Sequence, residues 1–368
     1  MSGSVGTFVK KVARAATLKG EAMLGRLHNL DNTLAQIDLK PPSINLELTN
    51  ICNANCVFCG YQYQERAKQT MSDEVFSRAV SEFVACGGGD VFLTPIVGEA
   101  TVDLQFLERV RYMRAQPAIR DIRVITNGIL LDRFGMDDVV RSGLSGVFIS
   151  TAGFEEEMYK RIYRNTCYNR MKNNVLALLE SRDRLGVDLE VTIGLRTDRP
   201  LASVMADPDF QPILKYKPKI DFTWSYVDFG GKIKSSDLSG VMQLRILSKS
   251  AKKESCKNLY DGPTILPDGE VLICSCASAM DALADLSIGN VMNASLREIW
   301  TGGLRRNLVR QFKGELPLNH TCANCTSYRN LDFYRTGHAR RLAVENGARA
   351  GGADPAQFNT PEHPRLHD

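Results

Sequence analysis

Apolar, β-branched runs alternate along this chain with stretches of helical period. The runs are Ile44 to Leu48, Val91 to Thr94, Ile122 to Thr126, Val147 to Thr151, Leu189 to Leu195 and Phe222 to Val227. Strands that alternate with helical segments predict βα units and a parallel sheet. Between the runs, Val75, Phe76, Ala79, Val80, Phe83 and Val84 recur at three- and four-residue spacing and predict a helix with one apolar stripe. Leu104, Leu107, Val110 and Met113 form a second stripe, and Val175, Leu178, Leu179 and Leu185 a third. Right-handed crossovers would curl six such strands into a partial (β/α)6 barrel. In βα barrels the chemistry collects on the loops that follow the C-terminal ends of the strands.

On this pattern the chain divides into a helical leader (1–41), the barrel (42–235), a smaller C-terminal domain (236–336) and a tail (337–368). The leader's basic, amphipathic run from Phe8 to Arg14 is read as a helix packed on the barrel. The tail is rich in glycine, proline and charge and is expected to be poorly ordered. With 368 residues the chain has enough length to bury a barrel core and a small appended domain. Its formal net charge of +4 is too slight to argue for nucleic acid. No apolar run approaches the roughly twenty residues of a membrane span, and no secretory signal is visible. The expectation is a cytoplasmic enzyme.

Chemistry enters directly after the first predicted strand. Cys52, Cys56 and Cys59 stand there in CxxxCxxC spacing. Thiolates are the usual ligands of a [4Fe-4S] cluster, and three of them leave one iron open. Structural zinc prefers four protein ligands, and no histidine lies near these cysteines. A disulfide framework does not suit a long chain without a secretory signal. The run resembles the radical S-adenosylmethionine (SAM) superfamily. That resemblance implies the partial barrel, chelation of SAM by the open iron, and reductive cleavage of SAM to a 5′-deoxyadenosyl radical that abstracts a hydrogen atom. It also implies a flavodoxin- or ferredoxin-type electron donor. Phe58 holds the position of the family's aromatic residue beside the adenine. Pro95-Ile96-Val97-Gly98-Glu99 resembles the family's Gly-Gly-Glu motif, with Val97 in place of the first glycine, and implies that Gly98 and Glu99 meet the SAM ammonium. Later strand ends carry Asn127, Ser150 and Arg196, where the family binds the SAM ribose and carboxylate.

A second cysteine set lies downstream. Cys256, Cys274, Cys322 and Cys325 provide four thiolates, enough to close a [4Fe-4S] cluster with no open iron. A zinc ribbon is the alternative for such a set. The pattern is similar to the SPASM/twitch extension of radical SAM enzymes, with Asp268-Gly269 forming a hairpin turn. No cysteine follows Cys325, so the shorter twitch form with one auxiliary cluster is expected, giving two [4Fe-4S] clusters in all. Three cysteines remain. Cys86 closes an amphipathic helix and reads as a core thiol. Cys276 is a candidate donor of a hydrogen atom back to a substrate radical, with Cys167 second; a spectator thiol or an alternative cluster ligand stays open for both.

For the substrate, the loop from Gly60 to Arg66 and the run from Phe222 to Asp228 offer polar aromatic residues at the barrel mouth. Trp224 or Tyr226 could stack on a sugar ring. Asp228 is the carboxylate expected to bind a substrate hydroxyl, with Glu270 and Asp268 as alternatives. None of the five histidines has a metal-site partner, and His320 is the one placed near the proposed chemistry. The expected reaction is hydrogen abstraction from a C–H beside a hydroxyl of a sugar- or cyclitol-like small molecule, giving oxidation or epimerisation. A ribosomal-peptide maturase is the rival enzyme. A non-catalytic iron–sulfur or zinc protein is the rival outside catalysis, though an electron carrier needs no six-strand barrel.

Overall fold

The computed structural model describes residues 30–93, 96–247, 252, 254–274 and 283–335. Six strands, β1 (Ser43–Leu46), β2 (Gly89–Leu93), β3 (Ile119–Thr126), β4 (Gly146–Thr151), β5 (Glu190–Leu195) and β6 (Lys219–Phe222), lie side by side in chain order. Every neighbouring pair is parallel. This is the α/β partial barrel that the alternation predicts. Two strands, β7 (Ser225–Tyr226) and β8 (Gln243–Leu244), pair apart from it. Three more, β9 (Thr264–Ile265), β10 (Glu270–Leu272) and β11 (Ser287–Asn290), extend the main sheet to nine strands among the described residues.

That extension is absent from the sequence reading. β9 lies parallel against the free edge of β1, Asn45 opposite Thr264 and Leu46 opposite Ile265. β10 then folds back antiparallel through the Asp268-Gly269 turn, in which Gly269 adopts φ +84 and the Glu270 N–H donates to Asp268 Oδ1 at 3.1 Å. The C-terminal segment is thus hydrogen-bonded to the strand that carries the first cysteine loop, which fixes one against the other.

The helices form for local reasons. The helix Asp73–Ala85 starts at Ser72, whose Oγ accepts from the Val75 N–H at 3.2 Å, and Asp73 and Glu74 oppose the positive end of its dipole. It buries Val75, Phe76, Ala79, Val80 and Phe83, the valines and phenylalanines each worth about 1.5–3 kcal/mol of apolar burial. Cys86 ends it as a buried core thiol. The second predicted stripe begins too early: Leu104 is 76% exposed and precedes the helix Phe106–Arg114. The N-terminal helix Leu30–Leu39 is tied to the C-terminal segment. Trp300 Nε1 donates to Ile37 O at 2.7 Å, and Arg305 lies over the Trp300 ring and pairs with Asp38.

The last barrel strand differs from the expectation. It runs Lys219–Phe222, not Phe222 to Val227, with Thr192 to Leu195 of β5 as partners. Lys219-Ile220-Asp221-Phe222 alternates polar and apolar residues because β6 is a half-exposed edge. The aromatic run after it leaves the sheet. The predicted helix over residues 8–14 and the tail 337–368 lie outside the described residues.

Candidate active site

The first cysteine loop hangs between β1 and the helix Glu156–Tyr163. The Asn55 N–H donates to Tyr163 O at 3.3 Å and the Val57 N–H to Ile162 O at 2.9 Å. Asn50 braces the far side, its amide donating to Ala67 O and accepting from the Gln69 N–H, each at 2.8 Å. Cys52, Cys56 and Cys59 then border a cavity of about 300 Å3 at the C-terminal ends of the barrel strands.

The chemistry of these donors fits an iron–sulfur cluster. Burial, with the charges of Glu99 and Cys59 acting the same way, pushes the Cys52 thiol up to about 12. Cys56 is driven up by burial and then by Cys59 and Cys52, and Cys59 by burial. Three partly buried thiols, of which Cys52 and Cys56 also feel the charge of a neighbouring thiol, become thiolates against a strong positive charge, which cluster irons would supply. Among the described residues no three His, Cys, Asp or Glu side chains meet closely enough to hold a single metal ion. The thiols stand around the cavity wall.

Two buried carboxylates shape the next strand end. Glu99, 3% exposed, is directed inward: Oε1 accepts from the Thr101 N–H, the Thr101 hydroxyl and the Thr126 hydroxyl at 3.1, 2.7 and 2.7 Å, and Oε2 from the Asn127 N–H at 2.7 Å. It therefore clamps the ends of β2 and β3 together before it meets any ligand. Burial raises its pKa, against those four hydrogen bonds. Glu47, which the sequence reading passed over, pairs with Arg66 at 2.7 Å and accepts from the Ile96 N–H at 2.8 Å. It holds the Gly98 loop from behind. Gly98 itself has φ +129, and a Cβ there would stand 2.3 Å from Thr49 O. Only glycine lets this loop pack on the strand that leads to the cysteines.

Phe58, Asn127, Ser150 and Arg196 all line the same cavity. Phe58 stacks on Tyr226 at 5.2 Å and meets Tyr163 edge-on at 5.6 Å, while the Arg196 guanidinium lies 5.7 Å from its ring centre. Arg196 Nε donates to Ser150 Oγ at 2.9 Å, and that hydroxyl also lies 2.9 Å from Tyr163 OH. Asn127 joins the cysteine loop through its amide, which donates to Asn53 Oδ1 at 2.7 Å. Residues far apart in the sequence are thus brought together as their order along the strands implied.

The opposite wall comes from the C-terminal segment and was not anticipated. Arg245, Asn258, Asp261, Ser327 and Arg329 line the cavity there. Behind them lies the second thiol set. Burial raises the Cys256 thiol to about 11 and the Cys322 thiol to about 12, and Cys325 opposes the ionisation of both. Asn258 Nδ2 donates to Cys274 Sγ at 3.5 Å and the Ser327 N–H to Cys325 Sγ at 3.2 Å. Asp261 accepts from Lys257 Nζ on both oxygens at 2.7 Å and from Tyr334 OH at 2.7 Å. The only hint of these residues in the sequence is that Asn258 and Ser327 each stand two residues after a cysteine.

Several expected residues stand elsewhere. Asp228 does not line the cavity, although Val227 and Phe229 do. The chain leaves β7 after Tyr226 and turns at Phe229, whose φ is +51, and Asp228 accepts instead from Thr326 Oγ1 at 2.9 Å and the Gly230 N–H at 3.2 Å. Asp268 serves the hairpin turn, Glu270 faces Ser287 and Asn290, and Trp224 is off the cavity wall. Cys167 begins the helix Tyr168–Leu185 outside the cavity. Cys276 lies outside the described residues. His320 is exposed at the start of the helix His320–Asn324.

A parallel partial barrel with three thiols behind its first strand, facing a second thiol set, is the frame of an iron–sulfur enzyme. Residues 46–205 match the radical SAM superfamily, and residues 256–326 match an iron-sulfur cluster-binding domain, SPASM. The chain belongs to the radical SAM superfamily and carries a C-terminal SPASM-type domain, and with them SAM and two [4Fe-4S] clusters as cofactors. A GTP 3′,8-cyclase of Stenotrophomonas maltophilia (strain K279a) is 33% identical over 124 residues, which are 33% of this chain and 37% of that protein. The PqqA peptide cyclase of Rhodopseudomonas palustris is 23% identical over 353 residues, 89% of each chain. Among solved structures, Streptococcus suis SuiB bound to the precursor peptide SuiA superposes with a TM-score of 0.56 at 13% identity, covering 78% of this chain and 70% of that one. At such identity the likeness speaks for the fold. Among the described residues no helix is long and apolar enough to cross a membrane.

Proposed function

We propose that this radical SAM enzyme takes a hydrogen atom from a hydroxyl-bearing carbon of a sugar- or cyclitol-like small molecule and oxidises it. One observation carries the reading: Asn258 and Ser327, which touch the second thiol set, and Cys52, Cys56 and Cys59 border one cavity, so a substrate seated there lies between the two sets. In this reading Cys52, Cys56 and Cys59 hold the SAM-binding cluster, and Cys256, Cys274, Cys322 and Cys325 the auxiliary one, with the barrel over 42–235 and the auxiliary domain over 236–336. When bound, the cofactors supply a 5′-deoxyadenosyl radical on one side and an electron acceptor on the other.

The chain's own residues bind and orient. Phe58 packs beside the adenine, Gly98 and the Asn127 region offer backbone to the methionine part, and Arg196, steadied by Ser150, answers the SAM carboxylate. Glu99 supplies the buried negative charge that the SAM ammonium offsets, while its hydrogen bonds keep β2 and β3 in register. Asp261 takes the role expected of Asp228 and accepts the substrate hydroxyl; Lys257 and Tyr334 hold its carboxylate in place. Oxidation is placed before epimerisation because the cavity reaches Asn258 and Ser327, which touch the second thiol set; of the two donor thiols weighed for epimerisation, Cys167 stands outside the cavity and Cys276 lies outside the described residues. A flavodoxin- or ferredoxin-type protein delivers the starting electron.

A peptide substrate is the second reading, favoured by the alignment with the PqqA peptide cyclase over 89% of both chains. The two part on one assay. Anaerobically reconstituted protein with SAM and reductant is given small-molecule and peptide fractions of host extract, and 5′-deoxyadenosine is measured. Stimulation by the small-molecule fraction is expected; stimulation by the peptide fraction alone would replace the first reading with the second.

A further inference from the structure

We propose that the seam between β1 and β9, where Asn45 stands beside Thr264 at the inner end of the cavity, is a subsite for a neutral hydroxyl of the substrate. The inference rests on the small-molecule reading and deepens it, adding a second point of attachment to the one placed at Asp261.

The cavity extends back along β1, before the cysteine loop, to Ser43 and Asn45. These two share a face of the strand, since side chains alternate along it, while Ile44 and Leu46 on the other face are fully buried in the core. β1 lies inside the sheet, between β2 and β9, and an inner parallel strand covered on both faces ordinarily carries an apolar residue at every position. Two of its four residues are polar instead, and both are buried.

Ser43 has a partner: its hydroxyl donates to Asp261 O. Asn45 is 5% exposed, and its Oδ1 is buried without a hydrogen-bond partner among the described residues. Thr264, directly across from Asn45 in the register of β1 and β9, is fully buried, and its Oγ1 likewise has none. On the other side Asn45 is paired with Phe92 of β2, which lines the cavity too. Partners in register point to the same side of a sheet, so Phe92, Asn45 and Thr264 form one row across three strands. Buried polar groups are nearly always paired, and two neighbouring exceptions beside a cavity mark a place where a ligand completes the pairing.

The group chemistry selects a hydroxyl. An amide offers a donor and an acceptor, and a threonine hydroxyl can act as either. A substrate O–H also gives and takes, so it meets this pair whichever way the amide is turned. A carboxylate or phosphate only accepts and an ammonium only donates, so neither serves both ends of the amide, and the row carries no charged side chain. Phe92 adds apolar surface for the ring carbons beside the hydroxyl, the mixture that a sugar or cyclitol presents. Asp261 is joined to this floor through Ser43. A ring held at Asp261 and at Asn45 is fixed in orientation, which decides the C–H that it turns toward the first cysteine loop.

The test titrates reconstituted wild type and variants, matched in iron and sulfide, with the small-molecule fraction of host extract and measures 5′-deoxyadenosine. In Asn45→Ala the amount of fraction giving half-saturation should rise about tenfold, the scale of one hydrogen bond lost from a buried site, with a smaller change in the maximal rate. Thr264→Val keeps the side-chain shape without the hydroxyl, and should raise it about threefold or more by the same loss. Unfolding midpoints of the same samples show which variants fold. An unmoved half-saturating amount in either folded variant would overturn the subsite and leave Asn45 and Thr264 as partners of each other or of a buried water. Stimulation of wild type by the peptide fraction alone would overturn the small-molecule reading, and the subsite with it, and is seen before any variant is compared.

Discussion

On the barrel side the cavity is walled by loops that leave parallel strands at one end, whereas on the C-terminal side it is walled by residues beside cysteines in short, irregular segments. The barrel wall holds its groups by backbone and buried carboxylates: Glu99 ties β2 to β3, and Glu47 supports the Gly98 loop. The C-terminal wall holds its groups by side-chain charge: Lys257 and Tyr334 on Asp261, and Lys252 on the carbonyls of Cys322 and Ala323. A wall of the first kind presents the same strand ends to a cofactor common to a superfamily. A wall of the second kind changes its chemistry by single side-chain substitutions. In the proposed reading SAM belongs to the first wall and substrate choice to the second.

The largest expected effect separates the walls outright. Cys56→Ala should abolish SAM cleavage, because two thiols remain where three border the cavity. Cys256→Ala should retain some uncoupled cleavage while productive turnover is lost. Both are read from 5′-deoxyadenosine and product in one assay, and loss of cleavage in Cys256→Ala as well would mean that the walls do not act separately.

Next in size is Gly98→Ala. The added Cβ meets Thr49 O at 2.3 Å in a backbone of φ +129, so the loop must move. A loss of about 2–4 kcal/mol in denaturant unfolding is expected, with weakened SAM binding.

Glu99→Gln sharpens the same wall. The amide cannot accept at every position where the carboxylate does, which leaves at least one buried donor unpaired at about 1–3 kcal/mol. It also removes a pH dependence. Because burial raises the Glu99 pKa above 4.5, the folded protein keeps this proton to higher pH than the unfolded chain. Its contribution to stability is therefore fully present below about 4.5 and declines as pH rises through the folded value. Unfolding midpoints of the unliganded protein followed upward from pH 4.5 should show this decline in wild type and less of it in Glu99→Gln.

The smallest effect is expected for Asp228→Asn. Its carboxylate faces Thr326 and Gly230 away from the cavity, so turnover should stay within about twofold, the scale of a surface substitution. A large loss with unchanged stability would return Asp228 to the site.

The same division governs what could be read from the chain. β2, β4 and β5 announce themselves as short, largely apolar runs, and β1 and β3 by apolar residues at every second position, Ile44 and Leu46, with Leu48 just beyond, in one and Ile122 and Val124 in the other. The first cysteine set shows because its three thiols are close in sequence, the second by its Cys322–Cys325 pair and the hairpin turn before Cys274. Gly98 shows through its likeness to the Gly-Gly-Glu motif and Asn127, Ser150 and Arg196 through their places after successive strands, and all four border one cavity. β6 was placed too late because Lys219-Ile220-Asp221-Phe222 is a half-exposed edge and the aromatic run after it looked more strand-like. β9 and β10 are two and three residues long, too short to carry a period, and only the Asp268-Gly269 turn marked them. Arg245, Asp261 and Arg329 belong to no motif or repeat. Their common position depends on β9 pairing with β1, a long-range contact that no local pattern encodes.

The most direct test of the central claim follows the hydrogen atom. Small-molecule extract from host cells grown on a perdeuterated carbon source is given to the reconstituted enzyme with unlabelled SAM, and the 5′-deoxyadenosine is examined by mass spectrometry. The account predicts deuterium in the 5′-deoxyadenosine together with an oxidised metabolite. Unlabelled 5′-deoxyadenosine at the same yield, or label arriving only from deuterated peptides, would contradict it.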